Sequence, residues 1–345
     1  MHRALLRDFD ELELDEAPTP EPGPGEVLLE VTANTLCPTD VRIITGEKRT
    51  GVELPVVPGH EVAGLVAAIG GGVEGFEVGE QVALMPGVPC RRCGPCIRGL
   101  EHLCEHLRIV GYAIDGGLAD HLLVPAEAIE AGTLIPTRAD VPPEQLALAE
   151  PLGCVLTGHA ATPVRPGDTV VVMGAGPIGL LHLQASRLSG AAQIVVSQPS
   201  AERRAVAERL GADITVDPAS GDLAEAVDEV SRGAGADVVF ICAGQPSLVD
   251  AAIAVARAGG AVNVFARITD GGRATIDANA VHYRQVMVSG SSNLRRREYR
   301  AAVELITGGH IDAASLVTHR FALTDIDDAI ATVVARDALK VAVLP

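Results

Sequence analysis

Residues 168–179 read DTVVVMGAGPIG. The first seven form a β-branched run, uncharged after Asp168, as expected of a parallel strand buried on both faces. The last six, starting again at Gly174, place Gly174, Gly176 and Gly179 in G-x-G-x-x-G spacing, and a helical stretch follows. That context gives each glycine a task. Gly174 allows the tight turn, Gly176 lets backbone N–H groups approach a pyrophosphate, and Gly179 lets helix and strand pack closely. Pro177 and Ile178 open the helix, whose N-terminus carries partial positive charge. The stretch predicts an α/β, doubly wound dinucleotide-binding domain. The next strand ends in Gln198, where an acid usually binds the ribose 2′-hydroxyl. With no carboxylate there, and with Arg203 and Arg204 close by, NADP is slightly favoured over NAD. The alternative is that Gln198 itself bonds the ribose hydroxyls.

Strand and helix alternate from about 166 onward: QIVVSQ (193–198), a helix in SAERRAVAERLGAD closed by Gly211, ADVVFICAG (236–244), a helix over 247–258 and GAVNVFAR (260–267). Residues 1 to about 150 differ. Short β-branched runs such as EVLLEVTAN and EVAGLVAAIG alternate with EPGPGE and PVVPGH, the pattern of many strands joined by turns. The tail, 291–345, carries an amphipathic helix near 297–308 and a closing strand. A length of 345 residues suits two domains. Aromatics are 2 % of residues with no Trp, so the cores must be aliphatic. A net charge of −18 repels phosphate backbones and disfavours a nucleic-acid partner. The first residues lack an apolar h-region, and the longest uncharged run is broken by Gly and Pro, so neither a signal peptide nor a membrane span is expected. Seven cysteines without such a signal argue against a disulfide framework and for a cytoplasmic protein.

CRRCGPCIRGLEHLC places Cys90, Cys93, Cys96 and Cys104 within one short lobe. Four thiolates make a closed tetrahedral set, which suits structural Zn²⁺. An iron–sulfur cluster is the main alternative, weakened by the last spacing and the lack of a second set. A second set is more open. NTLCPTDVR supplies Cys37, Thr39 and Asp40, and PGHEVAG supplies His60 and Glu61.

The run Gly59–Val73 fits G-H-E-x2-G-x5-G-x2-V. Together with Cys37-x-Thr39-Asp40, the cysteine lobe and the glycine loop, it resembles the zinc-dependent alcohol dehydrogenases of the medium-chain dehydrogenase/reductase family, over the whole chain. The resemblance implies a GroES-like β-rich catalytic domain from 1–150 and 291–345, with the zinc lobe at 90–104, and a Rossmann domain from 151–290. It implies that a secondary alcohol and its ketone are interconverted by alkoxide formation on zinc and hydride transfer to NAD(P). Cys37 and His60 would be zinc ligands, Thr39 would take the alcohol proton, and Asp40 would orient His60 or its neighbours. AEPLGC (149–154) resembles the sorbitol dehydrogenase branch at Glu150-Pro151-Leu152. Glu150, expected as the N-cap before Pro151, would bind zinc directly or through water, Glu61 would be an alternating ligand, and Cys154 would lie in the core. That branch points to a polyol, a cyclitol or a similar small alcohol, and the family to a homodimer or homotetramer. One departure is Arg42, where relatives often carry a relay histidine. Arg295, Arg296 and Arg297 precede the tail helix, and Lys340 takes a place where relatives carry a basic residue near the cofactor. Two rivals are a zinc-free NADPH reductase of activated C=C bonds, which needs none of these ligands, and a non-catalytic NAD(P)-binding sensor.

Overall fold

The computed structural model describes residues 1–137 and 141–345. The chain divides into two compact units, Met1–Gly153 with Asn293–Pro345, and Cys154–Ser292.

The first unit is built on a seven-stranded sheet. Its order runs Val317–Ala322, Lys340–Leu344, Val27–Leu36, Glu61–Ile69, Gln81–Leu84 and Leu134–Pro136, with His121–Val124 also paired to Val27–Leu36. The pairs are antiparallel except the first, which is parallel. Val27, Leu29, Val31, Val62, Val66, Val82, Leu84, Leu122 and Val124 form one core. Each such side chain contributes about 1.5–3 kcal/mol on full burial, so an aliphatic interior suffices where aromatics are scarce. Register then does the positioning. Thr35 lies opposite Glu61 on one side of the central strand and opposite Ala342 on the other. Cys37, His60 and Lys340 therefore come to the same end of the sheet.

The second unit is a six-stranded, wholly parallel sheet. Its order is Ile214–Val216, Gln193–Ser197, Thr169–Met173, Ala236–Ile241, Ala256–Val264 and Met287–Gly290. Counted along the unit this is 3-2-1-4-5-6, the Rossmann order. Every residue of Thr169–Met173 is buried, as its uncharged sequence requires. The helix Ala201–Arg209 starts at Ser200, whose hydroxyl accepts from the Arg203 N–H, and ends before Gly211 at φ +101°.

Two expectations shift. The helix expected to reach 258 stops at Val255, because Ala256 already pairs with Ala236 in the sheet and Gly259 turns at φ +70°. Ladder bonds there override local apolar periodicity. The helix expected to start after Glu150 starts at Ala149. Pro151 is tolerated inside it because first-turn N–H groups have no intrahelical acceptor. No helix of the described residues is long and apolar enough to cross a membrane.

Candidate active site

Cys37 ends the central strand and precedes the helix Pro38–Ile44, while His60 directly precedes the strand Glu61–Ile69. The Asp40 carboxylate, fully buried, ties the two segments together. Its Oδ2 accepts from the Cys37 backbone N–H at 2.8 Å, and its Oδ1 lies 2.8 Å from His60 Nδ1. An ionised carboxylate only accepts, so Nδ1 carries the proton and the Nε2 lone pair is left for an electrophile. Burial opposes a charge on His60, but the Asp40 carboxylate together with Tyr112 and Cys37 raises the imidazole pKa well above its ordinary value, so an electrophile at Nε2 must displace a proton there. The ring of Tyr112, itself buried, meets His60 edge-on at 5.5 Å between centroids.

The Cys37 Sγ, a His60 ring nitrogen and a Glu61 carboxylate oxygen all lie within 4.8 Å of one another. Ligand atoms around one tetrahedral zinc stand roughly 3–4 Å apart, so this donor set fits Zn²⁺ with an open position. Glu61 is held elsewhere, however. Lys340 Nζ donates to its Oε1 at 2.6 Å and the Thr35 hydroxyl donates to its Oε2, with all three residues buried. Burial works against the Lys340 ammonium, but Glu61, with Cys37 and Glu150 adding to it, raises its pKa. Glu150 lies outside the 4.8 Å group, although its charge is felt at Tyr112, Tyr299 and Lys340. Thr39 is half-buried on the helix that Cys37 precedes, and Cys154, expected in the core, is half-buried too.

In the lobe, Cys90, Cys93, Cys96 and Cys104 bring four sulfurs within 4.8 Å of one another. Two separations are 3.5 and 3.7 Å, from Cys93 to Cys96 and to Cys104. Four sulfurs each about 2.3 Å from zinc stand about 3.8 Å apart, whereas a disulfide needs about 2.05 Å. The backbone N–H groups of Cys90 and His106 both point at Cys104 Sγ at 3.3 Å, as for a thiolate bound to metal. The lobe fits a closed structural zinc.

The glycine loop divides its labour as the spacing requires. Gly174 turns at φ +109°, and a Cβ on Gly179 would stand 1.8 Å from the Gly174 carbonyl oxygen. A Cβ on Gly176 would meet nothing within 4 Å, which leaves that face open. Pro177 and Ile178 form the first turn of the helix Pro177–Leu188. Gln198 is buried, and Arg204 is committed to the loop, donating to the carbonyl oxygens of Gln198 and Pro199 at 2.6 Å and pairing with Asp217 at 3.3 Å. Arg203 is the other arginine of the pair.

The family model of the alcohol dehydrogenase GroES-like domain matches residues 23–133, and that of the zinc-binding dehydrogenase matches residues 177–308. An L-threonine 3-dehydrogenase of Pyrococcus horikoshii is 34% identical, over 90% of this chain and 88% of its own length. This chain belongs to the zinc-dependent alcohol dehydrogenases of the medium-chain dehydrogenase/reductase family. Another relative in the family, a sorbitol dehydrogenase of Bacillus subtilis, is 29% identical over 100% of this chain and 97% of its own. A zinc-binding dehydrogenase of Sinorhizobium meliloti, solved bound to NADP, superposes with a TM-score of 0.92 at 33% identity, covering 100% of this chain and 99% of that one. As a member of this family, the chain is an oxidoreductase with a GroES-like domain and a Rossmann domain.

Sequence reasoning passed over Thr35 and Tyr112 and gave Lys340 no partner. Tyr112 carried one signal, being one of three tyrosines in the chain. Thr35 carried none, and nothing linked Lys340 to Glu61, because that contact depends on register.

Proposed function

We propose that this dehydrogenase interconverts a secondary alcohol, of the polyol or cyclitol kind, and its ketone. The observation that carries this reading is the convergence of Cys37 and His60 on one point, with Asp40 fixing the imidazole. Relatives named for L-threonine and sorbitol act on molecules bearing a secondary hydroxyl, which supports it. When bound, zinc supplies Lewis acidity at the substrate oxygen and the nicotinamide a hydride acceptor.

The residues divide the remaining work. Cys37 and His60 hold the catalytic zinc, with Glu150 as a further ligand, direct or through water. Glu61 alternates as a ligand only after Lys340 and Thr35 release it. Thr39, two residues beyond Cys37, takes the alcohol proton through its hydroxyl. Arg42 cannot act as the next base, since a guanidinium stays charged and this one pairs with Glu47 at 3.2 Å. The proton therefore leaves by water or by cofactor hydroxyls. Residues 1–150 and 291–345 form the catalytic domain and 151–290 the nucleotide-binding domain. There Gly174, Gly176, Pro177, Ile178 and Gly179 cradle the pyrophosphate. Gln198 faces the ribose and Arg203 favours NADP. Met287–Gly290 is the outermost strand of its sheet, with Met287 63% and Val288 42% exposed. An open apolar edge of this kind suits a second copy of the chain, giving a homodimer or homotetramer.

The test measures zinc per chain and oxidation of a panel of polyols, cyclitols and secondary alcohols with both cofactors. Two zinc ions, turnover with a secondary alcohol, and loss of one ion with turnover in Cys37→Ser are expected. A zinc-free chain that reduces activated C=C bonds, or tight NAD(P) binding without any turnover, would reject the proposal.

A further inference from the structure

The helix that begins next to Cys37 ends at Ile44, and the loop after it folds back so that the Lys48 N–H donates to the Arg42 carbonyl oxygen at 2.7 Å. This brings two cations to one flank of the Cys37–His60 site. The half-buried Lys48 ammonium sits 5.2 Å from the centre of the Tyr112 ring and donates to the Thr50 carbonyl oxygen at 3.1 Å. Tyr112 in turn touches His60. The two ring contacts in series, 5.2 and 5.5 Å, keep the ammonium within about 11 Å of the imidazole centre, the span of a short polyol chain.

The placement is costly. Burial pushes the Lys48 pKa below its ordinary value, and the nearby Arg42 charge pushes the same way. No carboxylate of the described residues forms an ion pair with Lys48, in a chain whose net charge is −18. The cation–π contact with Tyr112 offsets this only weakly, since such contacts are weak where water still reaches the cation. A methionine would cover the same ring without facing Arg42 with a second positive charge. Nor does the oxidation chemistry at Cys37 and His60 need this ammonium. A half-buried lysine beside the Arg42–Glu47 pair, resting over an aromatic wall, suits an anion that arrives with the substrate.

We infer that Lys48, seated on Tyr112, is the subsite for an anionic group, carboxylate or phosphate, carried by the substrate away from the hydroxyl that is oxidised. The inference rests on the reading of Cys37 and His60 as the oxidation site. It narrows the substrate class from a neutral polyol to an acid or phosphate of one.

The test uses the zinc-loaded enzyme with its cofactor and three matched probes: sorbitol, gluconate and sorbitol 6-phosphate. Turnover and calorimetric binding are measured for the wild type, Lys48→Met and Lys48→Arg. A hydrogen bond to a charged group contributes about 1.5–3 kcal/mol, so one anionic probe should exceed sorbitol by roughly tenfold to a hundredfold in kcat/KM and in affinity. Which one does so identifies carboxylate or phosphate. Lys48→Met should collapse that ratio to near one and Lys48→Arg should keep most of it. A wild-type ratio near one, or a ratio that Lys48→Met leaves intact, would overturn the inference. If none of the three is oxidised, the oxidation reading loses support while the calorimetric ratio and its response to Lys48→Met still decide the subsite.

Discussion

Acidification should weaken the nucleotide-binding unit through two histidines that take no part in the chemistry. His159 and His182 stack at 5.2 Å between ring centres. Phe240 lies against both, at 4.7 and 4.2 Å, and Phe265 meets His182 edge-on. His182 is fully buried and His159 is 9% exposed, and among the described residues none of their four ring nitrogens has a hydrogen-bond partner. Burial pushes His159 down to about 4. Burial and the neighbouring His159 push His182 well below its ordinary value. Both stay neutral in the folded state, whereas the unfolded chain binds protons once the pH falls below about 6.5. Their contribution is thus unaffected above pH 6.5 and is lost as the pH falls from there toward the folded values. Two protons taken up only on unfolding give a limiting slope of about 2.7 kcal/mol per pH unit, or roughly 4 kcal/mol between pH 7 and pH 5. Against a typical stability of about 5–15 kcal/mol that is a large fraction. Urea unfolding of the zinc-loaded wild type and His182→Phe, followed by circular dichroism at several pH values, reads the difference. The variant should lose about half the slope, a gain of about 2 kcal/mol over the wild type at pH 5 once the two are matched at pH 7. Parallel stability curves for the two proteins would refute the reasoning.

Breaking the buried Lys340–Glu61 pair with Lys340→Met should cost about 3–5 kcal/mol, because it strands the Glu61 carboxylate, and adding Glu61→Gln should restore most of that in a thermal melt. Gly179→Ala places a methyl 1.8 Å from the Gly174 carbonyl oxygen, so the loop must move and fluorescence titration should show at least a tenfold loss of NAD(P) affinity. Cys96→Ser should remove one zinc per chain by elemental analysis and lower the melting temperature, while the Cys37–His60 site keeps its own ion. Asp40→Asn should weaken catalytic zinc about 10–100-fold, since the partner that fixes the His60 tautomer is lost, and competition with a chelator measures this.

Local chemistry was readable in the sequence wherever the partners lie close along the chain. The four cysteines of the lobe span one short segment, so their spacing alone implied a closed metal set. The glycine loop joins a strand to the helix that follows it, so the φ of Gly174 and the crowding at Gly179 followed from residue types. Cys37, His60 and Asp40 were recognisable as ligand-bearing segments, yet nothing in their order set them within reach of one another. That came from the ladder that places Thr35 opposite Glu61, and a slip of one residue would have turned them to opposite faces. The engagement of Glu61 by Lys340, 279 positions away, the Lys48–Tyr112–His60 series of contacts and the stacked histidines are all long-range encounters. Sequence periodicity reports which face of an element is apolar. Only the folded packing of several elements determines which polar groups meet inside, and with it the ion pairs, orphaned nitrogens and half-buried cation of this dehydrogenase.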